Sequence, residues 1–370
     1  MGEPYGRTLK MGQYSTPQRP PGRQAVKNVL QYPFAGDAPL IGDGSTVEVN
    51  DNLLWARMPV GGGLVSVNIW LFSHDGAWDI IDTGIDSPET VAAWEKIFSS
   101  TIQRHAVGRL VLTHGHPDHG GLAGWISRRC DVPVLITSEE EKELVALAKG
   151  MSPERDARQA AFFRAAGGSD ALIEANMELQ RSYSGLVCTP PEKFGRIAAG
   201  DTLTLGGDDW RVVIGSGHSP EHACLYNEKR KLFIAGDQVL PKITPNVSVR
   251  ARNPEADPMT NWLGSLARIK SEIPDDVLVL PSHGDPYRGL HARIDTLIEG
   301  HEQDLKNALA EIREPKRVID LFTVLFNREV TDSIYGLAAG EALAKLHCLR
   351  TRGQATRDID AEGVAWWRAI

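Results

Sequence analysis

A layered α/β domain is the fold class this sequence predicts, on three observations. Between about residues 46 and 290, short apolar β-type runs alternate with helical stretches, the pattern of strands and helices stacked in layers. Five of those runs stop at a histidine or aspartate close to a glycine, so each aims a polar side chain from the end of a rigid strand. A helical block at 138–198 interrupts the strands, and a mostly helical tail follows residue 291.

Taken in order, residues 1–45 open with a stretch rich in Pro, Gly and Arg (Pro17, Pro20, Pro21, Gly22) and read as an extended arm. Such an arm packs on the body or on a second subunit, and a homodimer is one expectation. The β pattern covers 47–49, 53–59 and 64–72. A turn signal at Ser73-His74-Asp75-Gly76 leads into 78–82, which predicts a hairpin. A helix is expected from Pro88 to Phe98, then a short strand at 109–113. Three helices are expected at 139–149, 153–166 and 169–184, the second opening on Ser152-Pro153-Glu154 as cap and first turn. Strands resume at 209–214, 222–226, 231–235 and 277–280. In 291–370 a long helix at 292–312 breaks near Pro315. Stretches at helical spacing follow (318–326, 335–349), then a hairpin within 354–367 that turns at Ala361-Glu362-Gly363.

Composition excludes several classes. A net charge of −8 argues against a partner that is a phosphate backbone, and 291–370 itself carries 11 Lys/Arg against 13 Asp/Glu. No segment approaches the ~18–20 uninterrupted apolar residues of a membrane span. The N-terminus lacks the pattern of a secretory signal. The four cysteines, 130, 188, 224 and 348, make neither a C-x-x-C pair nor a disulfide framework. A reducing, cytoplasmic setting is therefore expected, with the cysteines as small core residues.

The chemistry concentrates at Thr113-His114-Gly115-His116-Pro117-Asp118-His119. Three of the chain's 11 histidines fall here with an aspartate between them. So many nitrogen and oxygen donors are costly to bury without a metal. The other strand ends are Asp82, His218, Asp237 and His283. Imidazole and carboxylate without thiolate suit Zn²⁺, and also Mn²⁺ or Fe²⁺. His74 and His105 read as surface residues. His291, His301 and His347 fall on expected helices, with His291 a candidate neighbour of the pocket.

With H-x-H-x-D-H, a downstream His, an Asp and a final His in that order, residues 46–290 resemble the metallo-β-lactamase fold superfamily. The resemblance implies a four-layer αββα sandwich with two metal ions at one rim. It places His114, His116 and His218 on the first ion and Asp118, His119 and His283 on the second, with Asp237 bridging. Asp82 matches a strand-end aspartate that supports the ligands. Gly217-His218-Ser219-Pro220-Glu221-His222 resembles the H-T-P-G-H run of glyoxalase II-like enzymes, so His222 is expected beside the ligands rather than among them. Two ions ~3.5–4 Å apart share a hydroxide that attacks at neutral pH, with Asp118 orienting it. The diiron redox branch usually carries Glu where His116 stands, which favours hydrolysis. Residues 291–370 resemble the winged-helix module appended to many such hydrolases, here expected to pack or dimerise rather than bind DNA.

On the substrate side, the 138–198 insertion is expected to wall the pocket. Tyr183 and Met177 would line it, and Phe162 and Phe163 are read first as docking contacts. Lys242 is a candidate partner for a substrate carboxylate or phosphate. The expected activity is hydrolysis of an ester, thioester or lactone of a small metabolite. A ribonuclease, a β-lactam hydrolase (less favoured with Asp237 in place of Cys) and a metal-stabilised binding module are the alternatives.

Overall fold

The computed structural model describes residues 30–61, 63–326 and 329–370, so most of the expected arm lies outside the described residues. The first sheet contains, as successive neighbours, β1 (Val47–Asn50), β2 (Leu53–Pro59), β3 (Ser66–His74), β4 (Ala77–Ile81), β5 (Ala106–Val111), β6 (Val134–Ile136) and β7 (Phe194–Arg196). It is antiparallel from β1 to β4 and parallel from β4 to β7. The second contains β8 (Thr202–Leu205), β9 (Asp208–Gly215), β10 (His222–Asn227), β11 (Leu232–Gly236) and β12 (Leu278–Pro281) in that order, with only the last pair parallel.

The two sheets pack face to face because each strand alternates its side chains between two apolar environments. Trp55, Trp70, Phe72, Ile81 and Val111 of the first sheet meet Trp210, Val212, Leu225, Ile234 and Leu280 of the second in one buried cluster. Trp55 stacks on Trp70 with ring centres 6.1 Å apart, and Phe72 meets Trp210 edge-on at 5.2 Å. The alternate residues point outward to helices. Ile69, Leu71, Ile80 and Leu110 pack against α1 (Pro88–Ile97), α3 (Ala123–Cys130) and α4 (Ser138–Ala148). The very short α2 (Pro117–Gly120) carries the end of the histidine run. On the other side Val213, Phe233, Ala235 and Val279 share a cluster with the remaining helices. These are α5 (Pro153–Ala165), α6 (Asp170–Ser182), α7 (Pro258–Glu272), α8 (Leu290–Glu311), α9 (Phe322–Leu325) and α10 (Tyr335–Thr351). The layer order is thus helix, sheet, sheet, helix.

Most elements lie within a residue or two of their expected positions, including the three insertion helices and the hairpin β13 (Ala355–Ile359) and β14 (Ala365–Ala369). β6, β7, β8 and α7, with the one-turn α2, have no counterpart in the sequence reading. β6 and β7 are three residues each, and β8 is four, too short for a period of two to show. Helix α7 starts at Pro258 behind Asp257, whose carboxylate accepts from Thr260 N at 3.0 Å. The described end of the arm packs on its own chain, with Gln31 bridging to Arg288 and Tyr32 beside Tyr287. Cys224 and Cys348 are buried, whereas Cys130 and Cys188 are half-buried. Among the described residues no helix is long and apolar enough to cross a membrane.

Candidate metal centre

Every strand end singled out in the sequence arrives at one rim. Asp82 follows β4, the histidine run follows β5, His218 follows β9, Asp237 follows β11 and His283 follows β12. Their donor atoms form three overlapping groups that could hold a metal ion, His114–His116–His218, His114–His119–Asp237 and Asp118–His119–His283, each with atoms within 4.8 Å of one another. His114 Nε2 lies 2.8 Å from His116 Nδ1 and 3.3 Å from His218 Nε2. His283 Nε2 lies 3.3 Å from Asp118 Oδ2 and 3.4 Å from Asp237 Oδ1.

The outward nitrogens are held from behind. His218 Nδ1 donates to the Asn246 carbonyl (2.8 Å) and His283 Nδ1 to the Ser66 carbonyl (2.7 Å). His119 Nδ1 sits 2.8 Å from Asp82 Oδ2. Thr113 donates its N–H and its hydroxyl to the same Asp82 carboxylate, both at 2.8 Å, and its oxygen lies 3.1 Å from His114 Nδ1. Each arrangement leaves a ring's Nε2 to face inward, which is how a protein prepares imidazoles for a cation. Asp82 reaches this position with φ 64°, a left-handed conformation that aspartate tolerates better than most residues. His119 is fixed through its backbone as well, since Thr83 donates both N–H (2.8 Å) and Oγ (2.7 Å) to its carbonyl.

The donor set fits divalent cations. His119 Nε2, His283 Nε2 and Asp237 Oδ1 are buried and lack a hydrogen-bond partner among the described residues, a costly state that a cation would relieve. Electrostatics divide the centre in two. Burial and neighbouring rings hold His114 and His116 well below the ordinary histidine range, and burial also lowers His218. Burial opposes charge on His119 and His283 too, but the Asp118 and Asp237 carboxylates outweigh it; His283 is pushed up to about 10. Those rings in turn hold both carboxylates low despite burial. The two carboxylates thus make this half attract positive charge, which a cation would supply.

His222 stands beside this cluster. It stacks on His114 at 4.7 Å, and its Nε2 accepts the Asp237 N–H at 3.0 Å, so it aims Asp237. Burial lowers its pKa to about 3, in keeping with an acceptor. Its ring lies against Gly236 (φ 54°), where any Cβ would collide with it.

A cavity of about 430 Å³ opens over the centre, lined by His116, Asp118, His218, Asp237 and His283. The insertion contributes Tyr183, together with Phe162 and Phe163, which are chiefly buried in the core. Met177 is in the core and does not reach the lining. Leu337 and Glu341 of α10 also border the cavity, so the C-terminal helices help to shape it. Lys242 does not. Its loop turns it away, and its ammonium lies 5.6 Å from the Tyr32 ring. His291 is no pocket neighbour either, because its Nε2 bonds the Ile273 carbonyl at 2.8 Å.

Three supports were invisible in the sequence. Glu140 looks like part of an acidic first turn, yet it is fully buried and accepts from Gly115 N (2.9 Å) and Glu221 N (2.8 Å), clamping the histidine loop. Asn68 sits mid-strand and ties β3 to the loop of His283. Arg250 approaches His116 from an irregular loop. None of the three belongs to a local pattern, and Glu140's neighbours only disguised it.

A family model described as "Metallo-beta-lactamase superfamily" matches residues 62–283. This chain belongs to that superfamily. A second, "Metallo-beta-lactamase-like, C-terminal domain", matches 305–370. Among solved structures the chain is similar to a beta-lactamase domain protein from Burkholderia ambifaria, with a TM-score of 0.84 and 36% identity over 92% of this chain and 98% of that one. Among curated proteins it is 24% identical to a probable metallo-hydrolase of Bacillus subtilis (strain 168), across 71% of this chain and 80% of that protein. It is 25% identical to an atrochrysone carboxyl ACP thioesterase of Aspergillus fumigatus, across 58% of this chain but only 37% of that protein.

Proposed function

We propose that the protein is a two-metal hydrolase, with zinc as its cations, that cleaves a thioester or related ester of a small molecule. The observation that carries this reading is the convergence of five imidazoles and two carboxylates, backed by fixed partners, on the floor of a cavity with an apolar wall. A resemblance to a thioesterase favours sulfur esters among the ester-like substrates.

Bound cations supply Lewis acidity and lower the pKa of water at the cavity floor. The chain does the rest. Asp118 is only partly buried, borders the cavity and lies between His119 and His283. It is placed to orient an entering water and accept its proton. Asp82, through Thr113 and His119, holds the imidazoles in one tautomer, and His222 fixes the backbone of Asp237. Leu64, Ile243 and Leu337 offer apolar surface for the acyl part and exclude bulk water around it.

The test is turnover by zinc-reconstituted protein of S-lactoylglutathione, an acyl-CoA, a homoserine lactone, a cephalosporin and a short RNA. Thioester cleavage that chelators abolish is expected. Asp118→Ala is expected to lose about 10²–10⁴-fold in rate, the range for a positioned proton acceptor, while His283→Ala should also lose bound metal. Turnover of the RNA or the cephalosporin alone, or activity indifferent to chelators, would refute the proposal.

A further inference from the structure

We infer that Arg250 is a substrate anchor, and that the substrate carries an oxyanion, a carboxylate or phosphate, near the bond that is cleaved. This rests on the hydrolase reading above and names the substrate class for the same site.

Four arginines border the cavity, Arg155, Arg158, Arg250 and Arg252. Arg155 is committed to the carbonyls of Ala146 (2.6 Å) and Gly150, and Arg252 pairs with Glu143. Arg158 is exposed on α5. Arg250 is exposed as well, but of the four it alone touches the histidine run. It borders the cavity, forms no ion pair with a carboxylate among the described residues although Glu140 is near enough to act on its charge, and spends one donor on His116, with Nη2 2.6 Å from Nε2.

That contact fixes the direction of a chain of hydrogen bonds. A guanidinium only donates, so His116 Nε2 accepts and the ring's hydrogen sits on Nδ1. From there it points at His114 Nε2, 2.8 Å away. His114 then carries its own hydrogen on Nδ1, towards the Thr113 oxygen at 3.1 Å, and the Thr113 hydroxyl donates to Asp82. The chain is consistent from Arg250 to Asp82; it spends the His114 Nε2 lone pair and puts a hydrogen on His116 Nδ1, the two nitrogens a cation would take.

Once His114 Nε2 and His116 Nδ1 give those lone pairs to a cation, the neutral His116 ring carries its hydrogen on Nε2. Donor then faces donor, and Arg250 loses its acceptor. The open space beside it is the cavity, where the exposed guanidinium is left to water and to the field of the nearby Glu140 carboxylate, with its parallel N–H groups unoccupied by any direct acceptor. An oxyanion accepts two of its parallel N–H groups at once. Apolar Leu240, Ile243 and Phe162 line the same space. The ligand that satisfies both features has a hydrolysable head on the metals, an oxyanion on Arg250 and an apolar body between or beyond them.

The experiment is calorimetric and needs no turnover. Zinc-loaded wild type, Arg250→Ala and Arg250→Lys are titrated with three hydroxamates that share one metal-binding head. These are acetohydroxamic acid, succinic monohydroxamate and 3-phosphonopropionohydroxamate. Wild type is expected to bind at least one charged probe about 10- to 100-fold more tightly than the neutral one, the worth of charge-assisted hydrogen bonds. The stronger of the two charged probes tells carboxylate from phosphate. Arg250→Ala should abolish the ratio and Arg250→Lys retain part of it, with metal content and circular dichroism as controls. Because each ratio is taken within one protein, a change in metal affinity cancels. Equal affinities in wild type, or an unchanged ratio in Arg250→Ala, overturn the inference even if thioesters are cleaved. No hydroxamate binding together with no thioester cleavage overturns the hydrolase reading itself.

Discussion

Asn68 offers a strict test of how the two sheets position His283. Its side chain is fully buried in mid-strand, where it accepts from Trp55 Nε1 at 2.8 Å. Its amide donates to the carbonyls of Pro281 and Gly284, both at 2.7 Å. Those carbonyls flank His283, whose ring leans on the Ser66 carbonyl two residues before Asn68. Replacement by leucine keeps the volume but strands all three partners, two of them in fully buried bonds. At about 1–3 kcal/mol for each unsatisfied buried group, Asn68→Leu should cost about 3–5 kcal/mol. That is a large share of the ~5–15 kcal/mol by which a domain is stable. The assay is urea unfolding with the slope held as a control, together with zinc retention during dialysis against a weak chelator. The ion placed on His283 should be lost first, while the one on His114, His116 and His218 stays. A loss below ~1 kcal/mol, or equal release of both ions, would show that this bridge does not position the ligand.

Three further outcomes are expected. Asp82→Asn keeps the shape but weakens the hold on His119 and Thr113, so metal affinity should fall about 10- to 100-fold in a chelator competition; unchanged affinity would remove Asp82 from the support of the centre. Gly236→Ala combines a left-handed backbone with a collision against His222, and should destabilise by about 3 kcal/mol or more, read as a fall in Tm; wild-type Tm would refute the close approach. His347 is buried beside Trp367, and burial lowers its pKa to about 4. Because the folded value lies below the unfolded one near 6.5, protons favour the unfolded chain. Stability is therefore lost as pH falls from about 6.5 to 4, by about 2–3 kcal/mol. His347→Leu should remove that part of the acid sensitivity, so the two proteins' urea midpoints should converge or cross between pH 7 and 4.5; parallel pH profiles would refute the assignment.

The legible part of the molecule is the part that local patterns encode. Alternation in 66–74 and 77–81 marked a hairpin because side chains of period two face two different layers. The five strand ends stood out because Asp or His beside glycine is an unusual way to finish an apolar run. Ser152-Pro153 marked a helix start because a cap and a proline each fit only there. By contrast β6 and β7 are too short to show a period, and Lys242 looked like a substrate ligand only because its loop leaves the strand of Asp237. Its direction depends on the packing of Tyr32, which lies more than two hundred residues away in sequence.

By itself, then, the sequence determined the donor chemistry, the rim from which it is presented and the layered class of the fold, because each is written in residues adjacent along the chain. Only the tertiary structure decided which groups hold those donors in place. Glu140 clamps Gly115, Asn246 turns His218, Asn68 braces the loop of His283, and Arg250 meets His116. The physical reason is that a buried polar group must find its partner wherever folding brings one. For these four the partner comes from a distant segment, at a separation no local motif records.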